Sequence, residues 1–366
     1  MNWDYDHSIL QVSGSLYRYF GMDRGYGSDP EMDAYLDRNR PQCIIAVLID
    51  ALGTSILDSY PEETAFLRSH LLKSVSTVYP PTTTAATTSF LTGRSPAENG
   101  WLGWNQYFKE KDDNIILFLN RSQYEGTRYP AGWSEHALPV EKIYDLLNRK
   151  DIPADSVWPG WAPHNPADSY ASQLELAAEL TGQNRFLYVY HDLLDDMLHR
   201  YGTDDERIRE KLRELNDETE RFVRMLPGSV SVLVIADHSQ INVRCIDLEQ
   251  DEELCACFAK PPALEPRTLA FYISEGMEQR FEQLFRSHYG NEFLLLNHQE
   301  TISSGIFGPG IPHERFEEFI GDYTAFAISD IELDYMRLNH MKGDHAGMVK
   351  EERYIPLILM QGAKTE

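Results

Sequence analysis

Cysteine is scarce in this chain: Cys43, Cys245, Cys255 and Cys257 are irregularly spaced among 366 residues. Nothing in that spacing supports a disulfide framework, and it fits a reducing compartment, with the cytoplasm as the expected location. Cys255-Ala256-Cys257 has no matching second pair, so the two read as ordinary thiols rather than as metal ligands. Basic charge is short as well. Lys and Arg total 33 against 58 Asp and Glu, a net charge of −25. That balance argues against a basic nucleic-acid groove and leaves short nucleotides open as partners. No apolar run is long enough to span a membrane. The opening MNWDYDHSIL lacks the basic-then-apolar pattern of a secretory signal. Internal repeats and low-complexity tracts are missing too. Oligomeric state is left open.

What the sequence does have is apolar strands that end in acids. Its 42% hydrophobic content is enough for a large α/β core. Cys43–Ile49 (CIIAVLI) and Val230–Ile235 (VSVLVI) are continuous apolar runs, the pattern of buried parallel strands. The first ends at Asp50 and the second at Asp237-His238. Open α/β sheets keep their sites at that end of the strands; capping of the next helix is the alternative role for these acids. Between them, residues 78–93 (VYPPTTTAATTSFLTG) follow a strand at 74–78. They read as a Pro-fixed turn and a helix starting at Thr83 or Thr84. A helix N-terminus offers free N–H groups to a phosphate, and a hydroxyl there can act as a nucleophile once its pKa is lowered. Plain capping by Thr is the alternative. A strand at 185–190 runs into LDDMLHRYG, where Asp195 and His199 are four apart. On a helix they share a face and can ligate one metal, with Asp192 and Asp196 as competitors. In GDHAGM, His345 has small neighbours that let the backbone approach an ion; Asp344 and His340 are alternatives.

The remaining texture predicts helices at 54–72, 140–147, 171–180, 203–226 and 277–288. It also predicts an aromatic, Pro-rich loop at 157–163, a half-exposed strand at 268–274 and a closing strand at 355–360. Trp101, Trp104, Tyr107 and Phe108 read as a pocket wall or as core. The expected organisation is an N-terminal arm (1–40), a core from 41–239 and 336–366, and a small α+β cap insertion (240–335).

Taken in order, IDALG, YPPTTTAATTSFLTGRSPAENG, LDDMLHRYG, VLVIADHS and GDHAGM resemble the alkaline phosphatase superfamily, in its type I phosphodiesterase/nucleotide pyrophosphatase branch. The likeness runs from about residue 42 to the end. It implies an α/β fold with a doubly wound, mostly parallel sheet flanked by helices. It also implies two divalent metal ions, zinc first and manganese as the alternative. Carried over position by position, one ion is held by Asp50, Asp237, His238 and Thr83, the other by Asp195, His199 and His345. Thr83, flanked by Thr82 and Thr84, is the implied nucleophile, and Asn105 the implied contact to a phosphate oxygen. Ala346 stands where many relatives have glycine, which narrows the freedom of that loop.

The implied activity is hydrolysis of phosphodiesters or nucleotide pyrophosphates in two steps. Thr83 attacks phosphorus to give a covalent phosphoryl-enzyme, and water then releases the product. A phosphomonoesterase, a phosphonate hydrolase and a catalytically silent binding protein are the competing expectations. Neither C-x-P-x-R nor S-x-P-x-R occurs at the threonine loop, which argues against a sulfatase.

Overall fold

All seven residues of Cys43–Ile49 are buried, because both faces of the sheet they occupy are covered. The computed structural model describes residues 3–336 and 341–363. His340, one of the alternative ligands, therefore lies outside the described residues. Among the described residues, the central sheet has seven strands. Their order is Leu71–Ser76, Tyr354–Gln361, Val230–Ile235, Cys43–Ile49, Phe186–His191, Ala154–Pro159 and Pro166–Ala167. Cys43–Ile49 is parallel to both of its neighbours, and Tyr354–Gln361 is antiparallel to both of its own. The register sets Ile49 against His191 and Leu48 against Ile235. Asp50, the Asp192–Asp196 segment and Asp237-His238 therefore leave the sheet at one edge. The long helix Glu206–Met225 covers the sheet with the expected stripe of Ile208, Leu212, Leu215 and Phe222.

Three local expectations change. The helix expected at 54–72 is broken into Thr54–Ser59 and Ala65–Ser69, and a strand begins at Leu71. Pro61 disfavours helical backbone at Tyr60 and removes a donor, and Leu71 is drawn into the sheet opposite Ile358. The loop expected at 157–163 begins as part of Ala154–Pro159, which pairs in parallel with Phe186–His191. That neighbour satisfies the backbone, and Pro159 falls at the strand's end. The strand Thr268–Ile273 is buried at five of six positions rather than half-exposed. Phe281 and Phe285, from the helix Glu278–Tyr289, pack against it.

The N-terminal arm, described from residue 3, is docked on the core. Ile9, Leu10, Val12, Leu16, Met32 and Leu36, from the helices Ile9–Tyr19 and Pro30–Asn39, join the main core. Ser13 Oγ and the Tyr17 hydroxyl donate to the Phe90 and Leu91 carbonyls at 2.7 and 2.9 Å. These bonds fasten the first helix to the back of the threonine helix, Thr83–Thr92.

A second seven-stranded sheet, antiparallel throughout, stacks Phe293–Asn297, Tyr323–Ala327, Thr268–Ile273, Phe258–Glu265, Asn105–Phe108, Asp113–Ile116 and Arg121–Ser122. The region expected as a cap, 240–335, thus shares its sheet with residues from 105–122. The join is the pairing of Leu264 with Asn105. Among the described residues no helix is long and apolar enough to cross a membrane.

Candidate active site

Asp50 is fixed as soon as it leaves the sheet. Its N–H donates to the His191 carbonyl at 2.9 Å. The chain then turns sharply at Ala51, whose φ is +61° and whose N–H donates to Asp237 Oδ1 at 3.1 Å. A Cβ added at Gly53 would lie 1.9 Å from Ser239 Cβ, so only glycine lets these two strand-end loops pass. Asp237 and His238 are fully buried, and the His238 N–H donates to Asp237 Oδ1 at 2.9 Å.

The helix Thr83–Thr92 begins after Thr82, and its first backbone bond runs from Ala86 to Thr82 at 2.9 Å. The N–H groups of Thr83, Thr84 and Ala85 precede that bond and face out of the N-terminus. Thr83 Oγ1 lies 3.3 Å from Asp50 Oδ2 and 3.2 Å from His238 Nε2. Its neighbours are turned elsewhere. Thr82 donates to Glu265 Oε1 at 2.6 Å, and Thr84 is fully buried. Of the three hydroxyls, only that of Thr83 joins this cluster.

Asp195 and His199 sit on the helix Leu193–Tyr201 and share a face as their spacing predicts, with Oδ2 and Nε2 3.3 Å apart. His199 Nδ1 bonds the Gly343 carbonyl at 2.8 Å, and His345 Nδ1 bonds the Pro81 carbonyl at 3.0 Å. Each bond holds its imidazole so that Nε2 faces the cluster. His345 Nε2 is 4.0 Å from Asp195 Oδ1, and its ring stacks on His238 with centroids 3.8 Å apart. Six charged or imidazole side chains named from the sequence therefore converge beside Thr83.

The competitors are engaged elsewhere. Asp192 accepts from Trp161 Nε1 at 2.7 Å, and Asp196 pairs with Arg200 at 2.9 Å. Asp344 stands behind the site, 3.8 Å from His199 Nδ1. Asn105 is the exception among the expected site residues. It belongs to the second sheet, its amide donates to the Leu264 carbonyl at 3.0 Å, and among the described residues no hydrogen bond ties it to Thr83, Asp50 or His238.

The donor set fits divalent cations. Asp50 Oδ1 and Asp237 Oδ2 are buried with a single imidazole between them, His238 Nε2 at 3.2 and 3.7 Å, an arrangement that leaves two carboxylates short of positive charge. Three overlapping groups hold their ligand atoms within 4.8 Å: Asp50, Asp237 and His238; Asp195, His238 and His345; His199, Asp344 and His345. Without a cation the electrostatics are strained. Burial, then Asp237 and Asp195, drive the Asp50 carboxyl well above its usual range. Burial alone would neutralise His238, yet Asp237 and Asp50 push it up to about 10. Burial and the neighbouring His238 take His345 down to about 3. Burial also opposes the His199 cation, but Asp195 outweighs it and raises the group to about 9.

Two buried partners escaped the sequence reading. The Tyr190 hydroxyl donates to Asp50 Oδ2, and Gln240 Nε2 donates to Asp195 Oδ1. Gln240 follows Asp237-His238 along the same edge, a signal the motif itself contained. Tyr190 is 140 residues from its partner, and only the strand register brings them together. Next to the site, Thr87 and Thr88 of the threonine helix open onto a cavity of about 920 Å³ walled by Trp101, Phe118, Trp158 and Trp161. Of the other expected pocket aromatics, Phe108 lies in the second core and Tyr107 packs on Tyr272.

A doubly wound sheet with acids, imidazoles and a helix-borne hydroxyl at one edge puts the chain in the alkaline phosphatase superfamily, among hydrolases of phosphate esters. The chain belongs to the type I phosphodiesterase/nucleotide pyrophosphatase family, whose model matches residues 44–259, more than half of its length. No curated protein sequence matches it. Among solved structures, human ectonucleotide pyrophosphatase/phosphodiesterase 5 is similar with a TM-score of 0.68 at 14% identity, covering 89% of this chain and 91% of that one. An inactive Thr-to-Ala variant of the murine protein in complex with AMP gives 0.63 at 16%, covering 86% and 87%. Phosphonoacetate hydrolase from Sinorhizobium meliloti, in complex with phosphonoformate, gives 0.64 at 14%, covering 88% and 91%. At such identities the likeness speaks for the fold.

Proposed function

We propose that this protein hydrolyses phosphodiesters or nucleotide pyrophosphates through a covalent intermediate on Thr83. The observation that carries the reading is the approach of Thr83 Oγ1 to Asp50 Oδ2 and His238 Nε2 at the N-terminus of its helix. Asp50, Asp237, His238 and Thr83 would hold one divalent ion, and Asp195, His199 and His345 the other. Nitrogen and oxygen donors without sulfur suit zinc, with manganese as the alternative. When bound, such a pair supplies Lewis-acid stabilisation to the attacking and leaving oxygens.

The chain's own groups do the rest. Thr83 Oγ1 attacks phosphorus, its proton passing to Asp50 Oδ2, and the Oγ1–P bond forms as the P–O bond to the departing alcohol or nucleotide breaks. In the second step water adds to phosphorus and Thr83 Oγ1 leaves, taking a proton back. The free N–H groups at the start of its helix meet phosphate oxygens. His199, oriented by the Gly343 carbonyl, keeps Asp195 ionised for the second, hydrolytic step, and His345, oriented by the Pro81 carbonyl, presents a neutral Nε2 beside it. Arg94 and Arg200, the cations flanking the motifs, are paired with Glu98 and Asp196. Neither is free to take the extra charge of a monoester, and the aromatic cavity suits an organic group on the second ester oxygen. We assign Asn105 to positioning the second sheet rather than to phosphate contact. The four cysteines, all free thiols, suit a cytoplasmic setting.

The test is a comparison of bis-p-nitrophenyl phosphate, p-nitrophenyl phosphate and phosphonoacetate on protein of measured metal content. Preference for the diester by at least about tenfold in kcat/KM is expected. Dominant monoester turnover defeats the diesterase reading. Dominant phosphonoacetate turnover favours the second reading, a phosphonate hydrolase, for which the similar fold of phosphonoacetate hydrolase speaks. Absence of both tightly bound metal and turnover makes this a silent member of the family.

A further inference from the structure

A second cluster of potential metal ligands lies outside the active site. The strand Arg244–Asp247 pairs in parallel with Ile331–Asp334, and the register sets Cys245 opposite Glu332 and Asp247 opposite Asp334. Residues two apart on a strand share a face. Glu332 and Asp334 therefore project together next to Cys245, and ligand atoms of all three lie within 4.8 Å of one another. The Cys245 thiol donates to Asp334 Oδ2 at 3.2 Å.

Glu332 is what sets this cluster apart from a surface acid patch. It is fully buried, and neither of its carboxylate oxygens has a hydrogen-bond partner at ordinary geometry; its polar neighbours are the Cys245 thiol and two further acids, Asp334 and Asp344. The buried cation Arg267 does not supply one. Its guanidinium is spent on Glu352 and on the Ser329 and Ile331 carbonyls. A dry carboxylate left this way is not sustainable, so either a proton or a metal must occupy the space. The sulfur favours the metal, because a proton needs only the carboxylates.

We propose that Cys245, Glu332 and Asp334 form a separate divalent-cation site, selective for zinc, that staples the strand Arg244–Asp247 to the strand Ile331–Asp334. One sulfur and two carboxylate ligands fill three positions of a tetrahedral zinc and leave one for solvent. Cys245 is half-buried, so the site is open on that side for entry and for loss of the thiol proton on binding. The staple joins the two strands of a separate two-stranded sheet, and none of its three ligands is among those assigned to the active site.

The active-site ligands contain no sulfur, which makes the test specific. Full-length protein stripped of metal and loaded with cobalt(II) is expected to show a thiolate-to-cobalt charge-transfer absorption. Cys245→Ser abolishes it, and Glu332→Gln weakens the cobalt affinity behind it at least tenfold. Zinc content falls by one equivalent per chain in both variants. On the unmutated protein, alkylation of Cys245, followed by peptide mass spectrometry, slows at least tenfold when zinc is present. Absence of the absorption in wild type overturns the proposal. So does its persistence in Cys245→Ser, unchanged zinc content in Glu332→Gln, or alkylation indifferent to zinc; in each case a proton, not a metal, balances Glu332. Loss of active-site metal alone leaves the absorption in place, so the two readings fail separately.

Discussion

Arg267 and Glu352 are shut off from solvent, and so are Asp237 and His238. The first pair has every need met. Arg267 Nε and Nη2 donate to the two Glu352 oxygens at 2.8 and 2.9 Å, and Gly347 N–H adds a third bond at 2.9 Å. The second pair belongs to a cluster in which Asp237 Oδ2 and Asp50 Oδ1 share one imidazole nitrogen, His238 Nε2, at 3.7 and 3.2 Å, and have no other side-chain partner among the described residues. Burial is equal in the two places, so burial does not mark function. Satisfaction does. A completed ion pair is architecture, whereas a buried acid with a vacant lone pair is waiting for a ligand.

That contrast is open to attack from both sides. Thr83→Ala is expected to lower turnover at least about 10⁴-fold, since loss of a nucleophile removes the step itself. Denaturant unfolding of the variant should shift by less than about 1 kcal/mol, because Thr83 makes only its two cluster contacts. Retained turnover would hand the attack to another oxygen. Glu352→Gln is expected to act in the opposite way. It strands a buried guanidinium and should cost about 3–5 kcal/mol in urea unfolding, while the folded fraction still turns over. Lost turnover at unchanged stability would merge the two clusters into one.

Tyr190→Phe tests the border between them. The hydroxyl it removes donates to Asp50 Oδ2, and the ring stays packed against Trp158. Outer partners of metal-binding groups typically contribute 10- to 100-fold, so kcat/KM should fall by about that factor with little change in stability. A change in stability alone would make Tyr190 a core residue that happens to touch the site.

The site was legible in the sequence to the extent that its parts are local. Asp50 and Asp237-His238 close apolar strands, and Asp195 and His199 keep helical spacing, so each motif carries its own geometry. The likeness to a family then joined them. What was not legible depends on pairing between distant segments. Asn105 was expected at phosphate from the likeness to a family, and nothing in its own stretch of sequence announced the pairing with Leu264 of the second sheet. Glu265 fixes Thr82 from 183 residues away. The helix Ile9–Tyr19 is buried from Ile9 to Tyr17 although its text mixes polar and apolar residues, and only its docking on the threonine helix reveals it. Sulfur is densest in sequence at Cys255-Ala256-Cys257, which read as ordinary thiols. The structure instead gathers sulfur and carboxylates at Cys245 and Glu332, on strands far apart in the chain.

The smallest expected effect concerns Ala346, beside His345. Its φ is +74°, the left-handed region, where a side chain costs about 1–2 kcal/mol. Glycine relieves that strain. It also adds about 0.5–1 kcal/mol of unfolded-state entropy and gives up a fully buried methyl worth about 0.8 kcal/mol. The terms nearly cancel, so Ala346→Gly should change urea stability by less than about 1 kcal/mol. Turnover should stay within about twofold, because the loop is pinned by two bonds a glycine keeps. They run from Ala346 N–H to the Pro81 carbonyl at 3.0 Å and from Thr268 Oγ1 to the Ala346 carbonyl at 2.6 Å. Ala346→Val adds a β-branch to the same backbone and should cost more than the glycine saves, displacing His345 and reducing turnover. If the glycine variant instead lost activity while the valine variant kept it, the alanine methyl would be positioning the imidazole, and the satisfied backbone around it would not be enough to hold a ligand in place.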